Sequence, residues 1–266
     1  RDGRGRVLLQ KRPDTGIWAQ LWTLPQADSG IALQDWFDAH IEGSLDDFEA
    51  QVLQFRSEGG KGMNITAPFK LRAFELADRR SERAQLARAA NALKFEDGCI
   101  VAENFDGIGL LRDIEENLGE PLRNRRVLLL GAGGAVRGAL LPFLQAGPRE
   151  LVIANRDMAK ALALRNELDH PRLRISRYEA LEGQSFDIVV NATSASLAGE
   201  MPPIADSLVE PGRTICYDMM YGKEPTPFCQ WATNLGAAKV LDGLGMLAEQ
   251  AAEAFFIWRG VRPDTA

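Results

Sequence analysis

The sequence predicts an α/β protein of two domains, the second built on a doubly wound parallel sheet. Three observations predict it. From residue 126 to 242, strand-length apolar runs alternate with helix-period stretches, the pattern of parallel strands covered on both faces. Upstream lies a region of shorter strands and helices with its own turn signals. The last helical stretch, 244–259, is apolar over most of one face and is expected to fold back on the first domain. The expected division is 1–106, with 1–40 atypical, then 107–242, then the returning helix in 243–266.

The elements follow in order. DDFEAQVLQFRSEGG (46–60) has apolar residues at helical spacing and ends at glycines. MNIT (63–66) reads as a strand, and PFKLRAFELAD as a helix with Pro68 in its first turn. SERAQLARAAN (81–91) is a further helix. NALKFEDGCIVAENF (91–105) is a hairpin turning at Asp97-Gly98. DGIGLLRDIEENLG (106–119) is the helix leading out. Strands are then expected at 126–130, 150–155, 172–176, 186–192 and 213–219, and in AKVLD (238–242). Helices fill GGAVRGALLPFLQ, MAKALALRNEL and TPFCQWATNLG between them.

Composition excludes several classes. No run of eighteen apolar residues offers a membrane span. A net charge of -6 argues against nucleic-acid binding through a general basic field. Three widely spaced cysteines, Cys99, Cys216 and Cys229, give neither a disulfide framework nor metal-ligand spacing, so no metal is expected and a reducing cytoplasm is. With only His40 and His170 available, proton transfer is expected from Lys, Asp, Glu or Tyr. The sequence opens at Arg1 without a methionine or a secretory signal pattern, and reads as a fragment or processed product.

GAGGAVRG follows a strand and opens a helix, the context a dinucleotide fingerprint needs. Gly131 permits the tight turn, Gly133 lets backbone approach a pyrophosphate, and the helix N-terminus meets the anion; Ala132, Gly134 and Ala135 complete the turn. This makes the second domain Rossmann-type. Val136 stands where the motif has its third glycine, and a tight βα turn without ligand is the alternative. An NAD site puts Asp or Glu at the end of the second strand; here stand Asn155 and Arg156. Arginine suits a 2′-phosphate by charge and forked geometry, which points to NADP. Asp157 either repels that phosphate or caps the next helix.

MNITAPFK raises a separate question. Asn64, Thr66 and Lys70 surround a strand-to-helix corner. They are either solvated or the floor of a pocket.

Eight motifs in order decide it. NITAPFK, AANAL, NFDG, GAGGAVRG, ANRD, NATS, YDMMYGKEPTPF and DGLGMLAEQAAEAF resemble shikimate dehydrogenase over about residues 42–266. The resemblance implies NADP-dependent interconversion of 3-dehydroshikimate and shikimate in aromatic amino acid biosynthesis. It implies Lys70 and Asp106 as the catalytic pair, and Thr66, Asn91, Tyr221 and Gln250 as substrate contacts. Asn155 and Arg156 fall in the adenosine phosphate pocket, Gly243 and Met246 at the nicotinamide end, and Thr193 and Met219 join the cofactor set. Asn64 braces the corner. The family usually has Thr or Ser where Asp157 stands. Read without the family, Tyr221 and Met246 fit a core and Gln250 a solvent face. The chemistry agrees: a secondary alcohol losing hydride needs a proton acceptor, which Lys70 beside Asp106 supplies. The charge pair raises the lysine pKa and burial lowers it, so the resting protonation state stays open. Alternatives are an NAD-dependent quinate/shikimate dehydrogenase and an inactive NADP-binding chimera. The expected partner is a small-molecule substrate, with a monomer or homodimer.

Residues 1–40 fit this family poorly. The family opens with a strand and a loop whose serines hold the substrate carboxylate, and that loop is missing. LLQKRP, GIWAQLW and LP instead resemble the Nudix-like C-terminal domain of adenine-specific DNA glycosylases, without its catalytic box. The reading is a chimera joined near 40–46. RVLLQKR would then fill the missing first strand and LQDWFDAH the missing helix, with Thr15 and Thr23 as hydroxyl candidates. Exposed Trp18, Trp22 and Trp36 would favour self-association.

Overall fold

The computed structural model describes residues 10–11, 22–23, 47–66 and 68–265. They fall into two compact units that divide between Gly59 and Gly60. In the first, β1 (Gln10–Lys11) pairs antiparallel with β2 (Trp22–Thr23), and α1 (Phe48–Ser57) buries Val52. Most of RVLLQKR and all of LQDWFDAH lie outside the described residues, as do Thr15, Trp18 and Trp36. The two described residues of RVLLQKR, Gln10 and Lys11, pair with Thr23 and Trp22.

The second unit carries two sheets. The smaller has the order β3 (Gly62–Asn64), β5 (Ala92–Glu96), β6 (Cys99–Glu103), β4 (Arg79–Arg80). The expected hairpin is its centre: β5 and β6 are antiparallel, and Asp97 and Gly98 both take positive φ at the turn, as a type I′ connection requires. The two-residue β4, running parallel to β6, went unread in the sequence. Helix α2 (Lys70–Leu76) starts later than expected. Phe69 N–H closes a turn on Thr66 O at 2.9 Å, so Pro68 lies in the turn ahead of the helix. Helix α3 (Glu82–Ala87) is capped by Ser81 and ends at Arg88, whose left-handed φ of 52° stops it. The chain from 88 to 91 is therefore irregular rather than helical, which brings Asn91 to the entry of β5.

The larger sheet has six parallel strands in the order β12-β11-β10-β7-β8-β9. These are β7 (Arg126–Leu130), β8 (Glu150–Ala154), β9 (Leu173–Ser176), β10 (Ile188–Asn191), β11 (Ile215–Asp218) and β12 (Lys239–Leu241). The order reverses between β7 and β10, which makes the sheet doubly wound, as predicted. Strand β7 shows why the run had to be continuously apolar. Val127 and Leu129 point into one buried cluster with Val136, Leu140 and Phe143 of α5 (Gly134–Gln145). Leu128 and Leu130 point into the other, with Phe228 and Ala232 of α7 (Pro227–Asn234). Helix α6 (Met158–Leu168) covers the first face with Ala161 and Leu164.

Helix α4 (Asp106–Arg112) links the sheets and runs on into a π-helical turn, Asp113–Asn117. It lies against α5 on one side and α8 (Leu244–Arg259) on the other. Its glycines make this possible: a Cβ on Gly107 would overlap the carbonyl of Gly138, and one on Gly109 would stand 2.7 Å from the backbone nitrogen of Gln250. The last helix returns to the smaller sheet as expected, where the Trp258 indole N–H bonds Leu93 O at 2.9 Å. Among the described residues no helix is long and apolar enough to cross a membrane.

Candidate active site

The corner after β3 is knitted by backbone to the segment before β5. Ile65 N–H bonds Asn91 O at 2.7 Å, Ala90 N–H bonds Lys70 O at 2.8 Å, and Asn91 N–H bonds Glu103 O at 3.0 Å. These bonds place Lys70 at the start of α2 opposite Asp106 at the start of α4. The Lys70 Nζ donates to Asp106 Oδ2 at 2.7 Å, with a third of the lysine side chain and about half as much of the aspartate still open to solvent.

Asn91 is 2% exposed and fully satisfied. Its Oδ1 accepts Phe105 N–H at 2.8 Å, and its Nδ2 donates to Asp106 Oδ1 at 2.8 Å and to Gln250 Oε1 at 3.2 Å. Gln250, also buried, donates to Leu247 O at 3.0 Å. One chain of bonds thus runs Lys70–Asp106–Asn91–Gln250 across three helices and a strand entry. Both oxygens of Asp106 are occupied, while Lys70 keeps donors to spare. Gln250 therefore does not face solvent. Thr66 stands exposed in the same corner and Asn64 pairs with Ala92 in the ladder, a bracing place. Tyr221 is 49% exposed, follows β11 and lies outside this chain of bonds, so it is not the core tyrosine of the alternative reading. The sequence reading missed Asn104: this buried amide accepts Asp106 N–H at 3.2 Å and donates to Ala89 O at 3.1 Å, bracing the turn that carries Asp106. Its signal was the NFDG motif, from which only the aspartate was taken.

A second set gathers at the carboxyl ends of the parallel strands, where open α/β sheets bind ligands. Register puts Leu130, Ala154, Asn191 and Asp218 level on adjacent strands. Gly131 follows β7 with φ 111°, a turn that strains any side-chain-bearing residue. Ala132 is buried beneath it. Gly133 is extended and precedes α5, whose first residues are Gly134 and Ala135. Among the described residues, chain neighbours and the helix's own backbone aside, no atom lies within 4 Å of a Cβ built on Gly133 or Gly134. The start of α5 is thus uncrowded on the side where its glycines would carry a side chain, and its first-turn amides have no partner inside the helix, which suits an anion. At the end of β8, Arg156 is exposed and Asn155 Nδ2 donates to Asp157 O at 2.9 Å. Asp157 Oδ1 accepts the Ala159 and Lys160 amides at 3.0 and 3.4 Å. Asp157 is the cap of α6, and of its two expected roles this is the one its geometry displays. The residues fit a dinucleotide with an extra phosphate: a glycine turn, an open helix start and an exposed arginine.

Thr193 Oγ1 donates to the buried Asn191 Oδ1 at 2.7 Å. Met219 is buried and its N–H bonds Asn191 O at 2.9 Å. Gly243 packs directly on the Met219 carbonyl, and Met246 N–H bonds the Tyr217 hydroxyl at 3.1 Å. Two buried groups here went unread. Asp218 accepts Ser196 Oγ and Thr226 Oγ1, both at 2.7 Å. Tyr217 donates to Asp113 Oδ2 at 2.6 Å. Burial, and then the Asp113 charge, push the Tyr217 phenol far up, so it stays a neutral donor.

Three family models match the chain: the shikimate dehydrogenase substrate binding domain over residues 33–93, shikimate / quinate 5-dehydrogenase over 113–199, and the shikimate 5′-dehydrogenase C-terminal domain over 243–266. The first begins at residue 33, upstream of the start near 42 that the motifs gave. The shikimate dehydrogenase (NADP(+)) of Alkalilimnicola ehrlichii is 55% identical over 223 residues, 84% of this chain and 82% of that protein. An Ael1 enzyme from Pseudomonas putida superposes with a TM-score of 0.81 at 83% identity, over 85% of this chain and 83% of that one. The Thermus thermophilus shikimate 5-dehydrogenase, solved with NADP(H) and shikimate, gives a TM-score of 0.72 at 30% identity, over 84% and 82%.

Proposed function

Because the chain belongs to the shikimate dehydrogenase family, we propose that it interconverts 3-dehydroshikimate and shikimate with NADP. The observation that carries the reading is the Lys70–Asp106–Asn91–Gln250 chain of hydrogen bonds. NADPH would supply the hydride to the substrate carbon. In that direction the Lys70 ammonium gives a proton to the substrate oxygen as it becomes a hydroxyl; in the other, the amine takes it back. Asp106 holds Nζ in place, and Asn91 holds Asp106. Thr66, Tyr221 and Gln250 bind the substrate's polar groups, while Asn91, whose donors are already engaged, would reach substrate only in exchange for its bond to Gln250 or Asp106. The 131–135 turn cradles the pyrophosphate and Asn155 with Arg156 receives the 2′-phosphate, while Thr193, Met219, Gly243 and Met246 line the rest of the cofactor's path.

We divide the chain functionally into a substrate part, 1–106, an NADP part, 107–242, and a returning helix, 243–266. Its three free cysteines suit a reducing cytoplasm, and we expect a monomer or homodimer. The proposal of a foreign, glycosylase-like segment over residues 1–40 narrows to the part before residue 33, where the substrate binding domain match begins. The second reading, an NADP-binding protein that turns over poorly, is favoured by the absence of the serine loop from those residues. An unpartnered substrate carboxylate costs several kcal/mol when buried. NAD with quinate is the lesser alternative, opposed by Arg156.

The test is shikimate-dependent reduction of NADP, with Lys70→Ala as the blank and NAD and quinate as controls. Activity lost in the blank supports a working dehydrogenase. NADPH binding without turnover supports the second reading. A shikimate KM in the ordinary micromolar range counts against the foreign segment.

A further inference from the structure

The returning helix α8 carries Met246 and Gln250, yet the chain of bonds around Lys70 does not fix where that helix begins. A second, buried constellation does. The Tyr217 hydroxyl, at the end of β11, accepts Met246 N–H at 3.1 Å and donates to Asp113 Oδ2 at 2.6 Å. Asp113 Oδ1 accepts Asn117 Nδ2 at 2.9 Å, and the same Nδ2 reaches Glu249 Oε1 at 3.1 Å. Gly245 lies so close that a Cβ there would overlap the Asp113 carboxylate. Asp113 opens the π-helical turn that ends the helix begun by Asp106. Such turns are frequent at functional sites, and they re-aim side chains that a regular helix would present elsewhere.

We propose that Tyr217 and Asp113 are positioning residues, a buried clamp that fixes the start of α8 and through it Met246 and Gln250. The proposal rests on the dehydrogenase reading above. The clamp ties three elements that each carry part of the site: β11 leading to Met219, the helix headed by Asp106, and α8. Met246 N–H is a first-turn amide with no partner inside its own helix, so the phenol is what holds it. Tyr217→Phe keeps the ring in its core and removes only the hydroxyl.

The experiment measures kcat, shikimate KM, NADPH Kd by fluorescence, and deuterium exchange at the start of α8 for wild type and Tyr217→Phe. Losing both bonds of the hydroxyl, the one accepted from Met246 N–H and the one donated to Asp113, is expected to lower kcat/KM about tenfold or more and to speed exchange at Met246 by a similar factor. NADPH Kd should rise less than kcat/KM falls, by about twofold to threefold, since the glycine turn is untouched and only Met246 on the cofactor's path is released. Unchanged kcat/KM or unchanged exchange overturns the clamp. So does an equal loss in kcat and NADPH affinity, which marks a general structural defect. Should Tyr217→Phe not fold, Gly245→Ala presses on the same carboxylate from α8 and is read the same way. A wild type without turnover fails the dehydrogenase reading instead; the clamp is then judged by exchange alone.

Discussion

Asn91 donates to Oδ1 of Asp106 at 2.8 Å while Lys70 holds Oδ2, so the amide and the ammonium share one carboxylate. The aspartate cannot rotate away without breaking a bond to a residue that is itself buried and fully satisfied. The lysine is thus aimed by a partner that is already fixed, the placement that the proposed proton transfer needs.

Truncating the amide should therefore disable chemistry more than folding. Asn91→Ala strands Asp106 Oδ1, Gln250 Oε1 and Phe105 N–H. We expect kcat/KM for shikimate to fall by about 10²-fold or more, and stability by about 1–3 kcal/mol. Steady-state rates and urea melts check both; a loss in stability alone would confine Asn91 to the fold.

Arg156 is exposed at the end of β8, and the carboxylate beside it is turned to the α6 amides. Arg156→Ala should raise the Kd for NADP by about 10- to 100-fold, the worth of charge-assisted bonds to a phosphate, and leave that for NAD unchanged. Titration with both cofactors separates the two. Asp157→Ala should cost about 1 kcal/mol through the lost cap; a large change in NADP affinity in Asp157→Ser would assign Asp157 to the phosphate instead.

The parallel sheet was legible because β7, β8, β10 and β11 are buried on both faces and their code is continuous apolarity bounded by turns. The pairing of Lys70 with Asp106 was legible because each sits in a short motif, and the structure brings the two side chains together. What escaped were residues whose meaning comes only from distant partners. Tyr217 is 104 residues from Asp113, and nothing near either announces the pair. Asn104 lay inside a motif already read, and its role depends on the carbonyl of Ala89. The left-handed Arg88 ended a helix that periodicity alone carried on to Asn91. Residues 1–46, apart from two short strands, lie outside the described residues.

The cysteines give a pH prediction. Burial pushes the Cys216 thiol from its usual 9.0 to about 12 and raises Cys229 as well. Between those values the unfolded chain loses the proton while the folded one keeps it, so stability is full below about pH 9 and falls as pH rises toward 12. The slope for Cys216 approaches about 1.4 kcal/mol per pH unit. Melting temperature should drop across this range less steeply in Cys216→Ala. In native protein at pH 8, Cys99, half-buried, should react quickly with a thiol reagent, and Cys216 and Cys229 only on unfolding. Three thiols reacting at one rate would contradict the burial.

Two glycines of the proposed cofactor region should fail in opposite ways. At Gly243 a Cβ would overlap the Met219 carbonyl, which is backbone and cannot swing aside. Gly243→Ala should cost about 1–3 kcal/mol and shift the turn that leads into α8. Gly133 is extended, and among the described residues a Cβ there meets no atom within 4 Å beyond its chain neighbours. Gly133→Ala should fold with an almost unchanged melting temperature, yet bind NADPH more weakly, because the methyl occupies the space the pyrophosphate needs beside the α5 amides. Thermal melts and NADPH titration of the two variants side by side check this. If Gly133→Ala bound NADPH as tightly as wild type, the open space before α5 would not be the phosphate site, and the cofactor assignment of the whole 131–135 turn would fall with it.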